Sequence, residues 1–189
     1  MGIHDCHRTQ EVDRFIHMYA ILAADLTKLL KKDEPYEWGE KQQSAFEALK
    51  AKLTTAPVLR SPDWDRPFHV YVDTSAFAIG VVLSQKDDNK KDYPIYFASR
   101  QLSLAERKYT TTEREALGMV YSCKKFRHYL ICYEFVFYVD HYALQHLVKK
   151  ADLFAGVHLY STDQEGCSPR KRRLPIQIVD PAYRGGTSG

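Results

Sequence analysis

Cysteine is scarce in this chain, and what there is does not pair. Cys6, Cys123, Cys132 and Cys167 share no short spacing, which argues against a disulfide framework and against a zinc site. Buried free thiols are expected instead, above all at Cys123, which sits in an apolar helical pattern. His4, Cys6 and His7 lie close together, but in a polar terminus expected to fray rather than to hold a metal. No apolar run approaches the eighteen or so residues of a membrane span, and MGIHDCHRTQEVDR has no hydrophobic leader segment. A place inside the cell, in a cytoplasmic particle or the nucleus, is therefore expected, with no membrane partner. Excess charge is also missing from the body of the chain. The formal net charge is +3, yet residues 1–60 carry nine basic against nine acidic residues and residues 61–148 eleven against eleven. The surplus lies wholly in the tail, so electrostatics alone names no partner.

What is present is a set of clear periodicities. From Arg14 to Lys32, Phe15, Tyr19, Leu22, Leu26, Leu29 and Leu30 step by three and four, predicting an amphipathic helix. A second helix is predicted from Glu40 to Leu53, with Phe46, Leu49 and Leu53 on one stripe, Gly39 before it and Pro57 after it. Beyond Pro62 the period changes to two: Phe68, Val70 and Val72 alternate with His69, Tyr71 and Asp73. Ala78–Ser84 predicts a second strand, with Gly80 marking a bulge or a close backbone approach. The charged KDDNKKD at 86–92 predicts a hairpin loop, and Ile95–Ala98 a third strand. Thr110–Leu130 predicts a long helix, apolar over most of its girth and so buried against a sheet. A fourth strand at Phe135–Val139 and a short helix at Tyr142–Lys149 complete the order βββαβα, an α/β mixed sheet with helices packed on it.

Two of these strands end alike, VYVD at 70–73 and FYVD at 137–140. A long crossover helix between the hairpin sheet and the fourth strand predicts that this strand runs parallel to a neighbour. If the neighbour is the first strand, Asp73 and Asp140 leave adjacent carboxyl ends, about 4.8 Å apart. Carboxylates that close repel unless a positive charge lies between them, and a hard divalent cation serves that need. Each aspartate taken singly is also what starts a turn or caps a helix. A third acid would decide the matter, and the helix offers two, Glu113 and Glu115. They point about 200° apart, so only one faces the sheet, and periodicity does not say which.

The stretch Phe68–Leu147 resembles the ribonuclease H domain of reverse transcriptases from gypsy-type long-terminal-repeat retrotransposons and related viruses. The matching pieces are VDTSAFAIGVVLSQ (72–85), YPIYFASRQLSLAERKYTTTEREAL (93–117), KKFRHYL (124–130) and YVDHYALQHL (138–147). Residues 14–64 are similar to the thumb or connection segment that joins the polymerase part to that domain. The resemblance implies an RNase H-like fold and Mg²⁺-dependent (or Mn²⁺-dependent) endonucleolytic cleavage of RNA in an RNA–DNA hybrid. It implies Asp73, Glu115 and Asp140 as the catalytic, metal-holding acids, and leaves Glu113 on the surface.

After about Lys150 the resemblance fails, and Asp152, Asp163 and Asp180 sit in no motif that matches the family's fourth acid. Nor is there a polymerase palm, so the polymerase part of the same polyprotein is an expected partner. The expected organisation is a helical segment at 1–62, an RNase H-like domain at 63–150 with its sheet truncated, and a divergent, disordered tail at 151–189. The alternative to a nuclease is a degenerate, non-catalytic fragment of the same fold that binds or tethers nucleic acid.

Overall fold

The computed structural model describes residues 12–32, 35–55, 57, 59–131, 133–139 and 177–179. Its centre is a hairpin sheet of β1 (Phe68–Thr74), β2 (Ala78–Lys86) and β3 (Asp92–Gln101), paired antiparallel, with Val72 opposite Val81 and Val81 opposite Ala98. The β2–β3 loop is closed by Asp87, whose carboxylate accepts from the backbone N–H groups of Asn89 and Lys91 at 2.9 Å each. The third strand is longer than the predicted Ile95–Ala98, because pairing along β2 carries the polar residues at both of its ends.

The crossover is α4 (Thr111–Lys125), followed by a one-turn helix α5 (Arg127–Leu130). The long helix predicted to Leu130 is interrupted at Phe126, whose backbone leaves the helical region while its side chain is fully buried. The chain then enters β4 (Phe135–Tyr138), which pairs parallel to β1 as the crossover predicts, with Tyr71 opposite Tyr138. Phe68, Val70, Val72, Ile79, Val81 and Leu83 meet Met119, Cys123, Phe126 and Leu130 in one hydrophobic core. Cys123 is buried in that core, as expected, and burial pushes its thiol up to about 12. It is therefore inert as a nucleophile. Cys6, Cys132, Cys167, His4, His7 and the predicted helix at 142–149 lie outside the described residues.

Three further features depart from expectation. The single helix predicted over 14–32 is two short ones, α1 (Tyr19–Leu22) and α2 (Ala24–Lys28), preceded by Met18 in the left-handed region at φ 56°. The reason is docking on β3. The Arg14 carbonyl accepts from Phe97 N–H at 3.0 Å, and Ala20 N–H donates to Ser99 Oγ at 2.8 Å, so this segment's backbone groups serve the sheet instead of a continuous helix. The second helix, α3 (Glu40–Thr55), has no buried residue. It lies against α2, and its stripe stays partly open, with Phe46 42% and Leu53 45% exposed. Finally, the sheet does not stop at four strands. Gln177–Val179 forms β5, parallel to β4, giving the order β3-β2-β1-β4-β5. The expectation of a truncated sheet is corrected by this strand, which comes from the part of the chain where the family pattern had been lost.

A buried amide fastens the entry to the sheet. Gln85 is fully buried and accepts from Asp63 N–H (2.9 Å) and the Tyr93 hydroxyl (3.1 Å), while donating to the carbonyls of Asp63 (2.6 Å) and Arg66 (3.0 Å). Every hydrogen-bonding site of its side chain is thus engaged.

Two glycines mark close approaches of different kinds. A Cβ on Gly118 of α4 would stand 2.5 Å from Val72 Cγ1 and 3.4 Å from both Ile79 Cγ2 and Thr74 Cγ2. A Cβ on Gly80 would meet the thioether end of Met18, which borders it on the other face of the sheet. Branched side chains on a strand cannot retreat, whereas a methionine end can. Gly118→Ala is expected to destabilise the chain by about 1–3 kcal/mol, and Gly80→Ala by less than about 1 kcal/mol. Urea denaturation of both variants beside the parent checks the order, and an equal cost for the two would refute it.

Candidate active site

Strand alternation sorts β1 into two rows. Val72 and Thr74 place their methyl groups against Gly118, so Val70, Val72 and Thr74 face α4. His69, Tyr71 and Asp73 therefore belong to the opposite face. There the Tyr71 ring stacks on Tyr138 with centroids 4.4 Å apart, and Tyr138 Oη lies 3.0 Å from His69 Nδ1. Asp73 is the next member of this row toward the carboxyl end, and it is exposed. It pairs with Gly80 on β2, while the β1–β4 ladder stops at Tyr71 and Tyr138. Asp73 thus stands just past the last rung between the two parallel strands.

The two glutamates of the helix have different tasks. Glu113 is the N3 residue of a capping box: Thr110 N–H donates to its carboxylate at 2.8 Å, and its own N–H donates to Thr110 Oγ1 at 3.3 Å. Those bonds satisfy helix-end donors and hold its carboxyl below the usual carboxylate range. Glu115 is buried, 6% exposed, on the sheet-facing side of α4. Arg114 Nη1 donates to the Ser75 carbonyl at 3.0 Å, tying the start of α4 to the residue that follows β1. With Gly118 against Val72 and Thr74, this places Glu115 at the carboxyl end of β1, the end that carries Asp73. Asp140 lies outside the described residues. In the sequence it stands two residues after Tyr138, as Asp73 stands two after Tyr71, and those two tyrosines are opposite each other. Among the described residues no three His, Cys, Asp or Glu side chains form a metal-sized cluster. Two of the three expected acids are in that set, and carboxylate oxygens are the donors a hard divalent cation takes.

The turn before α4 is organised by an ion pair that sequence patterning does not reveal. Arg100 makes a two-pronged contact with Glu106 at 2.8 and 2.9 Å, and Glu106 also accepts from Ser103 N–H at 2.8 Å. Residues 100 and 106 follow no helical or strand period, so only the folded turn brings them together.

An antiparallel hairpin sheet continued by a parallel strand through a buried crossover helix, with acids at the carboxyl end of its central strand, is an RNase H-like α/β fold. Comparison with known proteins agrees. The family model of the RNase H-like domain found in reverse transcriptase matches residues 38–137, and the chain belongs to that family. It is 38% identical over 117 residues, 62% of its own length, to the Transposon Tf2-3 polyprotein of Schizosaccharomyces pombe. The expected kinship with gypsy-type retrotransposons is thereby borne out, although the chain spans only 9% of that relative's length. A solved foamy viral protease-reverse transcriptase dRH in complex with double-stranded DNA shares the fold with a TM-score of 0.67 at 17% identity, covering 90% of this chain and 30% of that one. The foamy viral protease-reverse transcriptase in complex with RNA/DNA hybrid gives 0.66 at 17% identity, covering 91% of this chain and 23% of that one.

The Arg100 guanidinium beside Glu106 holds that carboxyl down at about 2, against an ordinary value of 4.5. Because the folded-state value is depressed, the pair's contribution is full above the unfolded value and is lost as pH falls from about 4.5 through about 2. Glu106→Gln is expected to be less stable than the parent at neutral pH and to lose less stability over that acid window. Denaturation midpoints measured from pH 6 to pH 2 check this, and parallel curves for the two proteins would refute it.

Proposed function

We propose that this chain is the ribonuclease H part of a retrotransposon reverse transcriptase, cutting the RNA strand of an RNA–DNA hybrid, with Asp73, Glu115 and Asp140 holding the catalytic cation. The observation that carries this reading is the position of Glu115. Of two candidate glutamates, the buried one sits over the end of β1 that bears Asp73, while its neighbour is engaged in a helix cap. The parallel register of β1 and β4 supports the third member, since Tyr71 lies opposite Tyr138 and each is followed in the sequence by Val-Asp. Family membership and the foamy viral reverse transcriptase of like fold, solved with an RNA/DNA hybrid, support the substrate class.

The chain's own residues divide the work. Glu115 lies on the helix side of the sheet and Asp73 on the other, both toward the carboxyl end of β1, so a cation shared by them would sit beyond the last β1–β4 rung. Arg114, through Ser75, keeps the start of α4 in register with the end of β1. Mg²⁺ or Mn²⁺ bound among these acids would neutralise charge on the scissile phosphate and acidify the attacking water. The ribose 2′-hydroxyl distinguishes the RNA strand from the DNA strand. The polymerase part of the same polyprotein is the natural covalent neighbour, given the polyprotein relatives.

One observation favours a second reading. Asp73 alternates away from α4, and the chain carries no motif for a fourth acid, which suits a domain that retains the fold and holds nucleic acid without turnover. Cleavage of an end-labelled hybrid in Mg²⁺ decides between them. Asp73→Asn and Glu115→Gln are each expected to lower the rate by about a hundredfold or more, and Glu113→Gln to leave it within about threefold. Glu113→Gln behaving like Glu115→Gln would overturn the assignment of the helix acid. A parent chain that binds the hybrid and never cuts it would leave the tethering reading.

A further inference from the structure

The loop between β1 and β2 presents an aromatic side chain that the core does not use. Phe77 is 60% exposed, a few residues after Asp73, and the loop holding it is tightly bonded. Ser75 Oγ accepts from Phe77 N–H (3.1 Å) and Ala78 N–H (3.0 Å), and Ser75 N–H donates to the Ala78 carbonyl (2.9 Å). Leu102 joins this loop to the turn before α4. Its N–H donates to the Phe77 carbonyl at 2.7 Å, and its own carbonyl accepts from Arg107 Nε at 3.3 Å. The result is a guanidinium 5.4 Å from the centre of an exposed ring, with neither group needed for burial.

Basic side chains gather near this pair. Arg107, Lys108 and Arg114 lie on the turn and the first turn of α4. Of the nearby acids, Glu106 is matched by Arg100 and Glu113 is committed to the helix cap. Among the described residues the Nη groups of Arg107 have no hydrogen-bond partner. A fixed aromatic face beside a fork of donors suits a sugar–phosphate backbone: the ring packs on a sugar and the guanidinium engages a phosphate. We infer that Phe77 and Arg107 form a backbone-gripping platform for the nucleic acid that reaches the acids at the end of β1. The ligand class rests on the function proposed above; the platform itself rests on the loop geometry and charge.

The test is binding of a fluorescent RNA–DNA hybrid, by anisotropy, with Ca²⁺ in place of Mg²⁺ and over a range of salt. Phe77→Ala is expected to weaken binding about tenfold, with Phe77→Trp restoring it. Arg107→Gln is expected to weaken binding and to reduce the slope of log affinity against log salt by about one. In Mg²⁺ both variants are expected to raise KM with kcat within about twofold. Thermal melts matching the parent exclude unfolding as the cause, since both side chains are exposed. Parent-like affinity and salt slope in both variants would overturn the inference, as would a parent chain that binds no hybrid. Failure of the nuclease reading has a different signature: Asp73→Asn cutting as fast as the parent, or no cutting by any protein, while Phe77→Ala still weakens binding.

Discussion

The depth at which α4 sits against β1 governs everything else in this molecule. Gly118 allows the helix backbone to come down onto the methyl groups of Val72 and Thr74, closer than any residue with a side chain permits. That contact is steric, so it is narrow in tolerance: packed interiors respond to a single added methyl. It sets the height of the whole helix, and Glu115, one turn earlier, inherits its position over the end of β1 from it. The Arg114 bond to the Ser75 carbonyl adds a second fixed point at the same end. A helix held at one point can pivot about it, and one held at two cannot.

Around this contact the sheet is braced from its margins. Gln85 clamps the 63–66 turn onto the hairpin, and the rings of Trp64, Phe68, Tyr129 and Tyr133 gather where β1 begins and α5 ends. The segment before α1 bonds along β3, with Ile16 buried, and Ala23 is buried between α1 and α2. The amino end of β1 is thus the heavily packed end, and its carboxyl end is left for short loops and charged groups. Such a division of labour is common where rigid elements carry functional loops.

Much of this was legible in the residues alone, and the reasons are physical. Strand β1 and helix α4 announce themselves by period, because each buries one face of itself against the other. The parallel pairing of β1 with β4 follows from the length of the connection between them. Gly80 could be read as a place of close approach, though not that Met18 would fill it. The choice between Glu113 and Glu115 could not be made by counting, because the apolar arc of α4 is too wide to point; it rests on Thr110, whose capping box with Glu113 was written in the sequence as T-x-x-E. Gly118, within the apolar run EALGMVYS, is the sequence signal of the tight helix–strand contact. The helix predicted over 14–32 misled because its amphipathic period is real while its backbone bonds go to β3. The Arg100–Glu106 pair and the Phe77–Arg107 stack join residues with no common period, so only the fold reveals them.

The fifth strand changes how the end of the chain should be regarded. A strand at the border of a sheet offers a row of bare amides and carbonyls to any extended peptide that drifts by. With Gln177–Val179 laid along it, β4 is an interior strand, and that row is closed. A shortened protein trimmed at the point where family likeness fades would reopen it, leaving a sticky margin only one strand away from β1.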